Sequence, residues 1–198
     1  MLECKKKILL TNKEYNALFT LSNEDNLSFV QNNYYYDSKD LGFYSSGITC
    51  TIQGKNGIFT ATVKDHNLTT YGCYSESSGV VNNGFDTSFF SYLGVKYIGC
   101  LTTNRTVLFH NNSLEISLDK NTYLEHTDYE LMVEFSYDNL EQAEYVMQKI
   151  GHYLQSINVT NNLKKFYKRA DYAKSKSTRF FERYKSIYIS DGRGLHNG

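Results

Sequence analysis

The 198-residue chain contains no proline and no tryptophan. Tyrosine, asparagine and lysine are abundant, so the missing proline reflects nucleotide bias in the source genome and carries no structural conclusion. Net charge is absent too. The 21 Lys and Arg balance 21 Asp and Glu, so the global charge points to neither a nucleic acid nor a membrane as partner. No apolar run approaches membrane-spanning length, and the N-terminus, charged from Glu3 onward, lacks the apolar core of a secretion signal. The four cysteines, Cys4, Cys50, Cys73 and Cys100, form no C-x-x-C and have no histidine at zinc-ligand spacing. Cys4 and Cys50 share parity with apolar neighbours and read as small core residues. The five histidines do not cluster, which gives no basis for a histidine-driven mechanism, and nothing activates a cysteine nucleophile. These absences lead us to expect a reduced, cytoplasmic protein, in which sequons such as Asn67-Leu68-Thr69 are chance matches. No internal repeat is evident.

What is present is a set of short segments whose charges fall on one parity. Glu3, Lys5 and Lys7 alternate along the first segment, opposite Ile8 and Leu10. Glu130 and Glu134 alternate around Met132, opposite Tyr129, Leu131, Val133 and Phe135. Lys64 ends the alternating run Phe59–Lys64. In a strand, equal parity means one face. On the pattern alone a solvated face is the better explanation, weakened at 129–135 by the strongly apolar opposite face. The alternative is a polar cavity, which would suit an anion together with a metal.

The remaining punctuation describes mostly strands with few helices. Thr11-Asn12-Lys13-Glu14 is a capping-box pattern, followed by Tyr15, Leu18 and Phe19 at helical spacing. Gln31–Tyr36 is aromatic and extended. Asn56-Gly57, between alternating runs at 48–53 and 59–63, predicts a hairpin. Asn111-Asn112 predicts a second, joining Arg105–Phe109 to Leu114–Leu118. The sequence from Leu68 to Phe90, rich in Gly, Ser and Asn, reads as a loop-rich connector with room for a short helix. Asp138-Asn139-Leu140-Glu141 is another capping-box pattern. It opens a helix with Leu140, Ala143, Val146, Met147, Ile150 and Leu154 on one side. A basic helix is predicted over about 167–188, and nine of the 21 basic residues fall between Lys164 and Lys185. We expect one domain over residues 1–189, with 190–198 a disordered tail. The order of elements predicts an α+β, mainly antiparallel fold rather than a parallel βαβ sheet.

The series of motifs resembles the CYTH domain of the triphosphate tunnel metalloenzymes over almost the whole chain. Glu3-Cys4-Lys5-Lys6-Lys7 stands where that family opens with Glu-x-Glu-x-Lys. An aromatic strand like Gln31–Asp37 follows, then a hairpin closing near Lys64. Leu101-Thr102-Thr103-Asn104-Arg105 matches its Leu-x-Thr-x-Arg run. Leu118-Asp119, the acidic strand Glu130–Glu134 and Ser175-Lys176 follow in order. The resemblance implies a closed eight-stranded antiparallel tunnel barrel with flanking helices. It also implies that wall cations hold a triphosphate, here Lys7, Lys64, Arg105, Lys176 and Arg179, with Lys5 as a further candidate. Glu3, Glu130 and Glu134 would hold Mg²⁺ or Mn²⁺, and water would release phosphate. A hard divalent ion needs such oxygen ligands, and a preorganised polar barrel offsets the desolvation of a polyanion.

The departures from that pattern bear on activity. Lys5 replaces the second glutamate, Thr51 and Gln53 stand where two wall arginines are expected, and Met132 replaces the middle acid of the late strand. Neither Thr nor Gln reproduces arginine's bidentate fork. Lys5 could pair with Glu3, Glu130 or Glu134 in place of the metal, but an ammonium is no Lewis acid and does not activate water. The expectation is a protein that binds a small phosphorylated anion (a triphosphate, nucleoside triphosphate or polyphosphate), with Mg- or Mn-dependent hydrolysis weakened or absent. The alternative is a non-catalytic sensor using the same tunnel. A third class, an RNA-associated module, rests on cations interleaved with Phe166, Tyr167, Phe180, Phe181 and Tyr184. An amphipathic helix whose aromatics pack inward accounts for that pattern without RNA, and no RNA-binding motif accompanies it.

Overall fold

In the computed structural model, residues 3–66, 75–171 and 173–189 are described. The tail at 190–198 and part of the 68–90 connector therefore lie outside the described residues. Eight strands are hydrogen-bonded in one antiparallel sheet, in the order β1-β8-β7-β6-β2-β3-β4-β5. They are β1 (Glu3–Leu10), β2 (Ser28–Asp37), β3 (Ile48–Lys55), β4 (Ile58–Asp65), β5 (Ser75–Val81), β6 (Lys96–His110), β7 (Leu114–Tyr123) and β8 (His126–Ser136). Among the described residues five α-helices accompany them: α1 (Asn12–Phe19), α2 (Gly42–Ser45), α3 (Leu140–Ser156), α4 (Leu163–Asp171) and α5 (Lys176–Tyr188). No helix among the described residues is long and apolar enough to cross a membrane. Among the described residues, those within 3–29, 103–122 and 127–173 form one compact unit, and those within 30–102, 123–126 and 174–189 form another.

In the first unit β1 pairs with β8 antiparallel, placing Lys5 opposite Glu134 and Lys7 opposite Met132. The other parity, with Ile8 opposite Leu131, is apolar. It buries Ile8, Leu10, Leu131, Val133 and Phe135 with Tyr15, Leu18, Ala143, Met147, Leu154 and Phe166 from α1, α3 and α4. Helices thus cover one face and leave the charged parity to the other. The Thr11 capping box forms as predicted, with its hydroxyl accepting from the Glu14 N–H. Glu14 also anchors α4. Its carboxylate accepts from Arg169 at 2.7 and 2.9 Å and from the Thr160 hydroxyl.

In the second unit the register aligns Tyr36, Cys50 and Val63 across three strands, and likewise Ile52 with Ala61. These residues form a core with Val81 and Phe90. The alternate parity aligns Asn33 with Gln53 and Thr60, and Thr49 with Lys64 and Glu76. The Asn56-Gly57 hairpin turn takes φ of 52° and 78°. Positive φ at both central residues is what a two-residue turn matching strand twist requires, and Asn-Gly supplies it at little cost. A third cluster joins Phe180 and Phe181 of α5 to Tyr35, Leu41, Leu101 and Tyr123.

Three sequence expectations need correction. The connector at 68–90 contains the strand β5, which loop-like composition did not suggest, beside a short 3₁₀ turn at Thr87–Phe90 where a short helix had room. Its small residues fit a strand because Gly79 lies against the Phe89 ring, where a Cβ would fall within 2.9 Å. The helix predicted over 167–188 is two helices. Ser175 is extended and its hydroxyl accepts from the Thr178 N–H, restarting the helix at Lys176. The second capping box does not form. Residues Tyr137–Asn139 make a 3₁₀ turn, and α3 begins at Leu140 without a side-chain cap.

Candidate functional site

The charged parity of the first unit is a connected ion-pair network. Arg105, on β6, donates from Nε and Nη2 to the two oxygens of Asp119 on β7, at 2.7 and 2.8 Å. Its Nη1 donates to Glu134 Oε1 at 3.2 Å and lies 3.7 Å from Glu115. The other Glu134 oxygen accepts from Lys5 Nζ at 3.0 Å. Met132 brings its sulfur to 3.5 Å from Arg105 Nη2. The sequence therefore joins two cations and two carboxylates in one chain of contacts, Lys5–Glu134–Arg105–Asp119. Burial alone would lower the Arg105 pKa. Hydrogen bonds and charge from Asp119, then from Glu134, outweigh it and push the pKa up, so the guanidinium stays charged.

A second set of hydrogen bonds links residues of β6, β7 and β8. The Thr103 hydroxyl donates to Asn121 at 2.7 Å, and the Asn121 amide donates to Asp128 at 2.9 Å. Asn121, Thr103, Asp119 and Glu130 are almost fully buried. Sequence reasoning missed Thr103, Asn121 and Asp128. Parity would have found them, because Thr103 shares it with Arg105, Asn121 with Asp119, and Asp128 with Glu130.

The other predicted residues fall as follows. Lys7 is half-buried, opposite Met132. Glu3 pairs through its backbone with Ser136, and its side chain lies outside the described residues. In the second unit Lys64 forms an ion pair with Glu76 at 3.0 Å. Gln53 Nε2 donates to Asn33 at 3.3 Å, so the position expected to hold an arginine belongs to an amide pair. Lys176 is half-buried in the first turn of α5, and Arg179 is buried, with Nη1 donating to the Lys174 carbonyl at 2.6 Å. Three aromatics of the basic segment turn inward: Phe166, Phe180 and Phe181 are at most 1% exposed and cannot stack on bases, while Tyr167 and Tyr184 are half-buried.

Whether these side chains suit a divalent ion follows from what their oxygens already touch. Both Glu134 oxygens are held by cations, and both Asp119 oxygens by one guanidinium. Met132 offers a thioether, which a hard ion such as Mg²⁺ does not take. Among the described residues, no group of three or more His, Cys, Asp or Glu side chains is arranged to hold a metal. As they stand, these oxygens do not fit a divalent ion.

No protein-family model and no curated protein sequence matches the chain. Solved structures do. A candidate adenylate cyclase from Bacillus halodurans superposes with a TM-score of 0.60 at 20% identity, covering 91% of this chain and 97% of that one. A candidate adenylyl cyclase from Hippeastrum, described as having a dominant triphosphatase activity, gives a TM-score of 0.62 at 14% identity, with 91% and 96% covered. The chain shares the fold of these two structures. The residues read as motifs lie on strands: Lys5 and Lys7 on β1, Arg105 on β6, Asp119 on β7, and Glu130 and Glu134 on β8. At this level of identity the likeness establishes the fold alone.

Proposed function

We propose that the sheet closes into a tunnel and binds a triphosphate or another short phosphorylated polyanion, such as a nucleoside triphosphate or polyphosphate. Lys7, Lys64, Lys176 and Arg179 contact the phosphates, with Lys5 and Arg105 adding positive charge from within their ion pairs. The supporting observation is the fold shared with the Hippeastrum protein, which is described as a triphosphatase. The polar strand parities supply the chemistry such a ligand needs. Several preorganised cations offset the cost of stripping water from a polyanion, and they need no reorganisation when it arrives. The protein acts in the cytoplasm, where such anions are available.

Binding is the primary activity and hydrolysis is weak or absent. A metal-dependent triphosphatase would call on Glu3, Glu130 and Glu134 for Mg²⁺ or Mn²⁺. Glu134 is engaged by Lys5 and Arg105 instead. That pairing favours the reading as a non-catalytic sensor over that as an enzyme. Equilibrium titration with tripolyphosphate, ATP and orthophosphate tests the proposal. The expected order is tripolyphosphate and ATP well ahead of orthophosphate, with affinity falling as salt rises. Failure of every phosphate to bind, or equal weak binding of all three, would overturn it.

A further inference from the structure

We infer that Lys5 is the resident cation of this site: its ammonium occupies the place of a divalent ion, so the site takes its polyanion free of metal. This rests on the polyanion reading above for its ligand, but not for its cation. Cross-strand register sets Lys5 directly opposite Glu134. The ammonium sits 3.0 Å from Glu134 Oε2 while Arg105 holds Oε1 at 3.2 Å. Asp119 is saturated by the Arg105 fork. A divalent ion entering this face would have to displace an ammonium or a guanidinium from each of these carboxylates. Met132, opposite Lys7, adds no hard ligand in exchange.

The charge arithmetic agrees with the geometry. Lys5 and Arg105 contribute two positive charges that match Glu134 and Asp119, the carboxylates they hydrogen-bond, while Glu115 lies at the edge of the network, 3.7 Å from Arg105 and 3.5 Å from His110. A metal chelate of the ligand would bring a second cation up against Lys5, which like-charge repulsion opposes. The free polyanion brings only negative charge, which Lys5, 52% exposed at its side chain, is placed to meet. The species recognised is therefore the uncomplexed polyphosphate, and Mg²⁺ acts as a competitor that withdraws the ligand from solution.

Lys5→Glu puts a carboxylate directly opposite Glu134. Like charges facing each other across a strand pair destabilise it, and a hard divalent ion relieves them. The test is Mn²⁺ binding followed by electron paramagnetic resonance, with thermal stability in EDTA or Mn²⁺, for wild type, Lys5→Glu and Lys5→Gln. We expect no Mn²⁺ binding and no stabilisation for wild type or Lys5→Gln. Lys5→Glu should be less stable in EDTA, bind Mn²⁺ and regain stability with it. Mn²⁺ binding by wild type, or indifference of a folded Lys5→Glu protein to the ion, overturns the inference. If Lys5→Glu fails to fold, the wild-type and Lys5→Gln titrations still decide. Calorimetry with tripolyphosphate then separates the two readings. Binding by wild type in EDTA, weakened by Mg²⁺, supports both. Binding only with Mg²⁺ overturns the lysine assignment and leaves the polyanion reading intact. Silence in both buffers overturns the polyanion reading, while the metal titration still judges Lys5.

Discussion

Arg105 and Asp119 are locked in a two-bond fork, Nε and Nη2 each within 2.8 Å of a different carboxylate oxygen, with Asp119 fully buried. A buried pair of this kind is costly to break from one side, because the surviving charge is left without compensation. Asp119→Ala should destabilise the protein by about 3–5 kcal/mol. Urea denaturation of the variant against wild type measures this. A change indistinguishable from that of an exposed carboxylate would show that the pair is not holding the fold.

Arg105→Lys keeps the charge but loses the fork. An ammonium cannot donate to both Asp119 oxygens and to Glu134 from the same geometry. The expected cost is about 1–3 kcal/mol, visible as a lowered denaturation midpoint. Full retention of stability would mean that charge alone suffices at this position.

The Glu14–Arg169 anchor predicts an acid limb. Burial would raise the Glu14 pKa, but hydrogen bonds from Arg169, Thr160 and Thr11 outweigh it and hold the pKa at about 2, against 4.5 unperturbed. A carboxylate depressed in the folded state stabilises it fully above the unfolded pKa, and that stability is lost as pH falls through the folded value. Stability should therefore drop between about pH 4.5 and about pH 2, by on the order of 3 kcal/mol from this group. Glu14→Gln should flatten that part of the pH–stability curve. An unchanged slope would remove Glu14 as its source.

Gly99 gives a test of how α5 is seated. A Cβ there would meet the Phe180 ring at 2.8 Å, and Phe180 is fully buried. Gly99→Ala should cost about 1–3 kcal/mol by overpacking. Because α5 also carries Lys176 and Arg179, the substitution should weaken polyphosphate binding as well as stability. Parallel denaturation and ligand titrations check both effects.

Much of this architecture was legible in the chain because strand parity and turn chemistry are local signals. Asn56-Gly57 set the hairpin, Thr11 and Glu14 set the first cap, and the alternation of Ile8 and Leu10 against Lys5 and Lys7 separated the apolar face, which the helices cover, from the charged one. Other features depended on distant partners. The helix break at Ser175 hinges on one hydroxyl finding the Thr178 N–H, while Asp138 offers the same kind of pattern and makes no cap. The strand β5 lacks apolar alternation of its own and gains its place by pairing with β4. Parity put Glu130 and Glu134 on one face of their strand, and register sets Lys5 opposite Glu134. Parity could not say that Arg105 would turn its fork onto Asp119, since that choice depends on the register of strands far apart in sequence.

The most direct test of the account is a paired measurement on one sample: calorimetric titration with tripolyphosphate in EDTA, and phosphate release on adding Mg²⁺ or Mn²⁺. The account predicts binding without metal and little or no release, with Lys64→Ala weakening the binding by about tenfold, the equivalent of one charge-assisted contact. Absence of binding in EDTA together with metal-dependent phosphate release would contradict it.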